Sequence, residues 1–536
     1  MNISERNSLI NNLALVLIII LAFFIRIYKI DHHLHGGNFF EESRYIQGLL
    51  MEVASKMKMF NYPPFFDLIL SLINKIYFLF YFIGGHFKST ADLIVAFNID
   101  YSIDYVRLLF VHRMVTAIIG TLTVPVLFLI AKNLFNNLVG LFCALSLAVI
   151  PLHVFTSIDA VGPDNFQLFF ICLAFLYICK IFIDRPKREY YIFSGLFIGL
   201  AAATKYFGIF CVIPLLAAHF FSKRNKEGKR YLYLCFGIIA FILFITSFHR
   251  MIIHTQKVSS TLKFFVDNYT TPVSAYNTIY QTLAQRVGWV SYPNSLITGL
   301  GLGIFIFSIA GLLLGLIRHS RKDILIFVFP LSYYLFVGRF YNCQIEYILP
   351  VTPFMILLAG NFLVFVSERI YLDNKKTLIL CLIICGLGFF SLKEAIYYKH
   401  WISQKPIEEV AENWILKNIP VGSSVLFDGD DLGDSGKLEP LLFCNQQIPY
   451  RITVMDWKHD FNLKHFFRAD EFDYVVIDQT RIIPEKLKPE YEYIDKKFTV
   501  IKEFNPLFPT PKYNYCSIYG IIYNHSFKIY KNNKIR

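Results

Sequence analysis

Charged side chains are scarce in this chain. Of 536 residues only 17% are Asp, Glu, Lys or Arg, against 55% that are hydrophobic. A water-soluble globule carries about 25% charged residues, so one large soluble core is excluded. Several compact signatures are also missing. There is no glycine-rich phosphate loop closed by lysine and serine, no dinucleotide fingerprint and no zinc-binding pair of histidines on a helix. No internal repeat or low-complexity tract is present, which speaks against the duplicated halves common in transporters. Neither a cofactor nor a metal is expected. His32, His33 and His35 have the content of a metal site, but their spacing fits neither a helix face nor a zinc pattern.

Most cysteines fall inside apolar runs (Cys143, Cys172, Cys179, Cys211, Cys235, Cys381, Cys385), where they serve as packing residues. Cys444 and Cys516 lie in a polar C-terminal stretch and would pair if it faces an oxidising compartment. The formal net charge of +13 raises nucleic acid as a partner, yet the basic residues form no domain-wide patch. They gather in short loops between apolar runs, as the positive-inside bias predicts, so no nucleic-acid partner is expected.

What is abundant is apolar sequence in runs of about 20 residues, the length that crosses a bilayer. Spans are expected near 9–30, 106–131, 138–157, 165–183, 190–204, 207–221, 231–250, 297–318, 323–338, 347–367 and 376–397. The first is too long for a signal-peptide core and lacks a small-residue cleavage site, so it is read as retained. The loops at Lys132-Asn133, 185–188, 223–230, 318–322, Glu368-Arg369 and Lys375-Lys376 then share one side. Placing that side in the cytoplasm puts the N-terminus inside. The first loop, Asp159 and Asp164, 251–296, Arg339 to Glu346 and everything after about 398 then lie outside. Asp67 to Gly84 is also apolar but carries Asp67, Asn74 and Lys75 and follows Pro63-Pro64. It is expected to form an interfacial or re-entrant helix within a first external loop spanning 31–105.

After Trp401 the pattern changes to an amphipathic helix, Ile407 to Asn418, and short buried-type strands at 425–428, 472–478 and Tyr515 to Tyr523. The expected fold class is an all-α polytopic membrane domain over 1–397, with about eleven transmembrane helices. A small α/β extracytoplasmic C-terminal domain over 398–536 follows it. The expected setting is a bacterial plasma (inner) membrane, in contact with membrane lipids.

A charged cluster, Glu41-Glu42-Ser43-Arg44-Tyr45, comes directly after the first span and is followed by Tyr62-Pro63-Pro64. Carboxylates suit a helix's first turn, which is the bland account. At a membrane surface they also suit proton transfer from a hydroxyl, with arginine neutralising a phosphate. Asp159 and Asp164 lie on the same expected face, where Asp164 either caps the next helix or joins the site. Lys205-Tyr206 interrupts an otherwise uncharged run. Such a group is a site residue by default, and snorkelling to the interface is the competing account. Arg107 and Arg113 are further phosphate candidates, ahead of Arg339, Tyr341, Glu346 and Tyr347.

These motifs, in this order, resemble the GT-C superfamily of lipid-phosphate-sugar-dependent glycosyltransferases. The similarity is greatest to the bacterial protein O-mannosyltransferase-like branch that includes lipid A aminoarabinose transferases. The residues concerned are Glu41-Glu42-Ser43-Arg44-Tyr45, Tyr62-Pro63-Pro64-Phe65, Pro163-Asp164, Gly195-Leu196 with Gly199-Leu200 and Lys205-Tyr206, and Glu346-Tyr347 with Pro350 and Pro353. Three positions depart from the family pattern: Glu41 stands where aspartate is usual, Tyr62 where lysine is usual, and Glu346 where arginine is usual.

The resemblance implies an inverting hexosyl- or pentosyltransferase acting at the outer face of the membrane on a polyprenyl-phosphate sugar donor and a lipid, protein or glycan acceptor. It implies catalytic roles for Glu41, Glu42 and Asp164, donor-phosphate contacts from Arg44, Lys205 and Arg107, and a cavity lined by Tyr45, Tyr62, Tyr206, Glu346 and Tyr347. A transporter or lipid flippase is the alternative; it accounts for the spans but not for the acidic first loop or the appended domain. A catalytically retired, acceptor-binding member is a third possibility.

Overall fold

The structure is a computed structural model, and it describes residues 3–31, 63, 65–85, 103–158, 162–184, 187–222, 226–248, 263, 288–341, 343–369, 376–404, 407–427, 450–454, 471–479, 488–505 and 526–534. The chain forms two compact units, one of helices up to His400 and one that begins at Trp401.

In the helical unit the order is α1 (Ile3–Ile27), α2 (Phe65–Ile83), α3 (Ile103–Leu134), α4 (Asn137–Val149), α5 (Pro151–Thr156), α6 (Pro163–Ile183) and α7 (Arg188–Thr204). A 3-10 turn, Tyr206–Cys211, leads into α8 (Val212–Phe221), and α9 (Lys226–Leu243) ends in a π turn. Then come α10 (Gly288–Leu300), α11 (Leu302–Arg318), α12 (Arg321–Val337), a second 3-10 turn at Ile345–Val351, α13 (Thr352–Arg369) and α14 (Lys376–Ile402).

Every expected span falls on helix. Seven helices among the described residues are long and apolar enough to cross a membrane alone, or up to eight if the bent pair α10–α11 is one span. The expected number was larger because it also took in shorter apolar helices, among them Asn137–Val149 and Tyr206–Phe221. The region read as one span at 297–318 is a pair of helices bent by 119°, with Gly301 at φ 82° in the break. That backbone conformation suits glycine.

The helix α2, expected as interfacial or re-entrant, buries two of its polar residues. It meets the same criteria of length and apolarity as the spans. Asp67 and Asn74 are buried, and Asn74 Oδ1 lies 2.6 Å from His112 Nε2 on α3. Phe66 and Leu70 pack with Phe166 of α6. Asp67 and Asn74 thus point into the protein, while Lys75 is exposed.

Close helix contacts use small residues, as expected where lipid offers no hydrophobic drive. A Cβ on Gly311 of α11 would overlap the carbonyl of Leu358 on α13. One turn earlier, Ser308 Oγ donates to Met355 O across the same contact at 2.7 Å.

The second unit holds α15 (Ile407–Asn418), β1 (Ser424–Phe427), β2 (Arg451–Val454), β3 (Tyr474–Asp478), α16 (Lys488–Lys497), β4 (Phe498–Phe504) and β5 (Phe527–Asn532). Its sheet runs β2-β1-β3-β5-β4. Strand β1 is parallel to β2 and β3, and β5 is antiparallel to β3 and β4. Alternation of side chains covers both faces. Val425, Phe427, Val476 and Ile529 join Ile407, Ala411 and Ile415 of α15, while Leu426, Val475, Ile477 and Tyr530 join Ile494 of α16. The amphipathic helix and the strands at β1 and β3 match the sequence reading; β2, β4 and β5 were not expected. The strand expected at Tyr515 to Tyr523, and Cys444 and Cys516, lie outside the described residues.

Candidate active site

Two local features place the central pair of charges. Helix α6 starts with Pro163 at its first turn, after Gly162, which makes no side-chain cap bond. Asp164 therefore sits in that first turn, where the helix dipole favours negative charge. Helix α7 stops at Thr204, and Lys205 is extended, at φ −151° and ψ 128°. Its N–H still donates to Ala201 O at 3.1 Å, and its carbonyl accepts from Gly208 N at 2.9 Å. The break turns a long apolar run into two helices with a lysine between them.

At this break Lys205 Nζ lies 2.7 Å from Asp164 Oδ1, with side-chain exposures of 5% and 7%. The ammonium also stands 4.3 Å from the centre of the Tyr347 ring. Burying such a pair costs desolvation that offsets most of the Coulombic gain, and a desolvated cation–π contact contributes about 2 kcal/mol. Asp164 thus directs its carboxylate to Lys205, and Lys205 points inward at a partner instead of snorkelling. Three candidates from α6, the α7 break and the second 3-10 turn are brought together.

Residues that sequence reasoning missed hold this arrangement. Gln167 Nε2 donates to Lys205 O at 2.9 Å, and Tyr333 Oη donates to Tyr347 O at 2.9 Å. Gln167 was legible in principle, three residues from Asp164 on one helix face; Tyr333 carries no local signal. Phe207 and Phe210 pack on Tyr333 and Phe336 beside the break. Asn165 and Gln167 are fully buried, and Asn165 Nδ2, Asn165 Oδ1 and Gln167 Oε1 have no hydrogen-bond partner among the described residues.

The other candidates are placed differently. Arg107 is exposed and donates to Tyr81 Oη at 3.3 Å. Tyr206 opens the 3-10 turn after Lys205 and is half-buried, as is Glu346 beside the buried Tyr347. Arg113 is buried and donates to Ile30 O at 2.8 Å. Arg339 is exposed. Glu41, Glu42, Arg44, Tyr45, Tyr62 and Asp159 lie outside the described residues, as do His32, His33 and His35.

A second buried polar group gathers at the ends of α1 and α4. Arg26 donates to Ala22 O at 2.8 Å and Ala148 O at 3.2 Å, and lies 2.7 Å from His153 Nδ1. Lys399 Nζ donates to Arg26 O at 3.0 Å. These cations meet helix C-termini, where carbonyls are unsatisfied and the dipole is negative.

Against known proteins, residues 102–248 match the family model of dolichyl-phosphate-mannose–protein mannosyltransferases; this stretch contains Asp164 and Lys205. Dolichyl-phosphate-mannose–protein mannosyltransferase 4 of Schizosaccharomyces pombe is 26% identical over 215 residues, covering 38% of this chain and 25% of that protein. The chain thus spans about a quarter of the length of the curated relative it matches. Among solved structures, ArnT from Cupriavidus metallidurans bound to undecaprenyl phosphate has a TM-score of 0.52 at 13% identity, covering 96% of this chain and 97% of that one. The Archaeoglobus fulgidus oligosaccharyltransferase AglB, in complex with an inhibitory peptide and a dolichol-phosphate, has a TM-score of 0.52 at 12% identity, covering 88% and 70%. At such identities the likeness is one of fold, and it agrees with the GT-C resemblance read from the motifs.

Proposed function

From a multi-pass membrane chain with the fold of the GT-C glycosyltransferases, we propose a sugar transferase. It moves a hexosyl or pentosyl group from a polyprenyl-phosphate donor to an acceptor hydroxyl at the outer face of the membrane. The observation that carries this reading is the buried meeting of Asp164, Lys205 and Tyr347. A cation beside a carboxylate at a helix N-terminus matches what the reaction needs: positive charge for a phosphate leaving group and an acceptor of hydrogen bonds for a hydroxyl.

In the proposed reaction the isoprenoid stays in the bilayer and the phosphosugar enters the site. Glu41, supported by Glu42 and Asp164, takes the proton of the acceptor hydroxyl. The hydroxyl oxygen forms its bond to the anomeric carbon in line as the bond to the phosphate oxygen breaks. The electron pair leaves on polyprenyl phosphate, and the configuration inverts. Lys205, Arg44 and Arg107 stabilise the charge that develops on the phosphate, which is commonly the largest electrostatic contribution. Tyr45, Tyr62, Tyr206, Glu346 and Tyr347 line the cavity. The proposed setting is a bacterial inner membrane with the N-terminus inside and the C-terminal unit outside, and a lipid, protein or glycan as acceptor.

The test is release of polyprenyl phosphate by the purified full-length protein from a labelled pool of polyprenyl-phosphate sugars. Release is expected from the wild type and not from Glu41→Gln expressed at the same level. Near-normal turnover in that variant removes Glu41 from its role, and no release by the wild type overturns the proposal.

A further inference from the structure

Neither partner of the Lys205 ammonium named above is helix backbone: one is the carboxylate of Asp164 at 2.7 Å, the other the ring of Tyr347 at 4.3 Å. Parting these two contacts breaks no helix backbone bond. Lys205 also occupies an extended residue between two helices, so its side chain is not held to the directions a helix interior imposes. Gln167 and Gly208 hold the Lys205 carbonyl, which fixes the backbone while leaving the ammonium to choose its anion.

Beside Asp164, buried polar atoms outnumber their partners. Asn165 offers both amide atoms and Gln167 offers Oε1 without a hydrogen-bond partner among the described residues. Buried groups of this kind are nearly always satisfied, by a ligand or by ordered water when protein does not serve. The first turn of α6 has the makings of a receptor for something polar.

We propose that Lys205 is handed from Asp164 to the phosphate of the polyprenyl donor, and that this exchange uncovers the Asp164 carboxylate for the acceptor hydroxyl. The inference rests on the donor chemistry proposed above. In the empty site the carboxylate is neutralised by the ammonium and is a weak acceptor for a hydroxyl. Once the ammonium turns to the phosphate, the lone pairs of Asp164 face an open position at the helix N-terminus. No covalent bond changes; one charge-assisted hydrogen bond is exchanged for another of the same kind. Donor must then bind before acceptor, and the resting site does not orient water for hydrolysis.

The test uses full-length protein in lipid nanodiscs and a short-chain polyprenyl methyl phosphodiester, which carries one negative charge and no titrating proton. Asp164→Asn removes the competitor for the ammonium and is expected to bind this probe about tenfold more tightly than the wild type. Lys205→Met is expected to lose binding, and Asp164→Asn combined with Lys205→Met to bind no better than Lys205→Met alone. Unchanged or weaker binding by folded Asp164→Asn, with wild-type binding intact, overturns the exchange and leaves the transferase reading standing. Absence of binding by the wild type overturns both.

Should Asp164→Asn not fold, Asp164→Ser, which removes the charge while keeping a small polar side chain, is put to the same assay; tighter binding of the probe than by the wild type is expected, and unchanged or weaker binding overturns the exchange.

Discussion

Two sets of buried cations in the helical unit are held in opposite ways. Arg26, Arg113 and Lys399 are at most 1% exposed, and each donates to backbone carbonyls at or just beyond helix ends: Ala148 O, Ile30 O and Arg26 O. Lys205 is also buried but faces a side-chain carboxylate and an aromatic ring. A cation on helix-end carbonyls cannot let go without leaving those carbonyls bare, so it works as a clamp. A cation on a side chain can change partners. The bonding of a buried charge, more than its burial, thus separates a structural from a functional assignment.

The sharpest way to break this contrast is to remove one cation from each set. Lys205→Met is expected to cut sugar transfer by about a thousandfold, the scale of losing a preorganised electrostatic contact. Replacing the pair together, as Lys205→Met with Asp164→Leu, should restore thermal stability without restoring transfer, since apolar replacement of a buried ion pair is often neutral or better. Arg26→Met should do the reverse. It is expected to lower stability by about 3 kcal/mol, as buried carbonyls and His153 lose their donor, while activity per folded molecule is retained. Thermal melts alongside turnover distinguish the two patterns, and equal behaviour of the two variants erases the distinction.

Smaller effects sharpen it. Gly311→Val forces overlap with the Leu358 carbonyl and is expected to cost about 2 kcal/mol of stability, with unchanged affinity for donor. Tyr347→Phe keeps the ring over Lys205 and should stay within about threefold of wild-type turnover, whereas Tyr347→Leu should fall further as the cation–π contact is lost.

The second unit supplies a control that titrates. Burial, followed by the hydrogen bond to Asp495, pushes the Tyr530 phenol above its ordinary range. A phenol raised in the folded state contributes stability that is complete below about pH 10 and is lost as pH climbs through the raised value. Hydrogen exchange at β5 should therefore accelerate above about pH 10, and Tyr530→Phe should flatten that dependence.

Much of the architecture was legible because apolar runs and amphipathic periodicity are local properties. The helix Ile407–Asn418 and the strands around Leu426 and Val475 were read from nearby residues alone. Asp164 and Lys205 were legible as candidates, since an ionisable group in an apolar run is costly, but their contact was not; nothing in the spacing pairs residues from different helices. Asp67 and Asn74 were legible as polar exceptions in an apolar run, but their burial was not, since the partner of Asn74 is His112 on another helix. Arg26, at the end of the first apolar run, drew no sequence assignment, because Ala148 and His153, which meet it, lie on other elements. The bend at Gly301 needed a backbone angle that sequence does not state.

The tight turn that follows Lys205 has a reach beyond its size. A methyl group on Gly208 would collide with the backbone of Ala201 and Ala202 in the last turn of the preceding helix. Such a substitution would drive a wedge into the elbow and swing the ammonium off its mark, so a carbon atom with no charge of its own would detune the proposed transfer from three residues away.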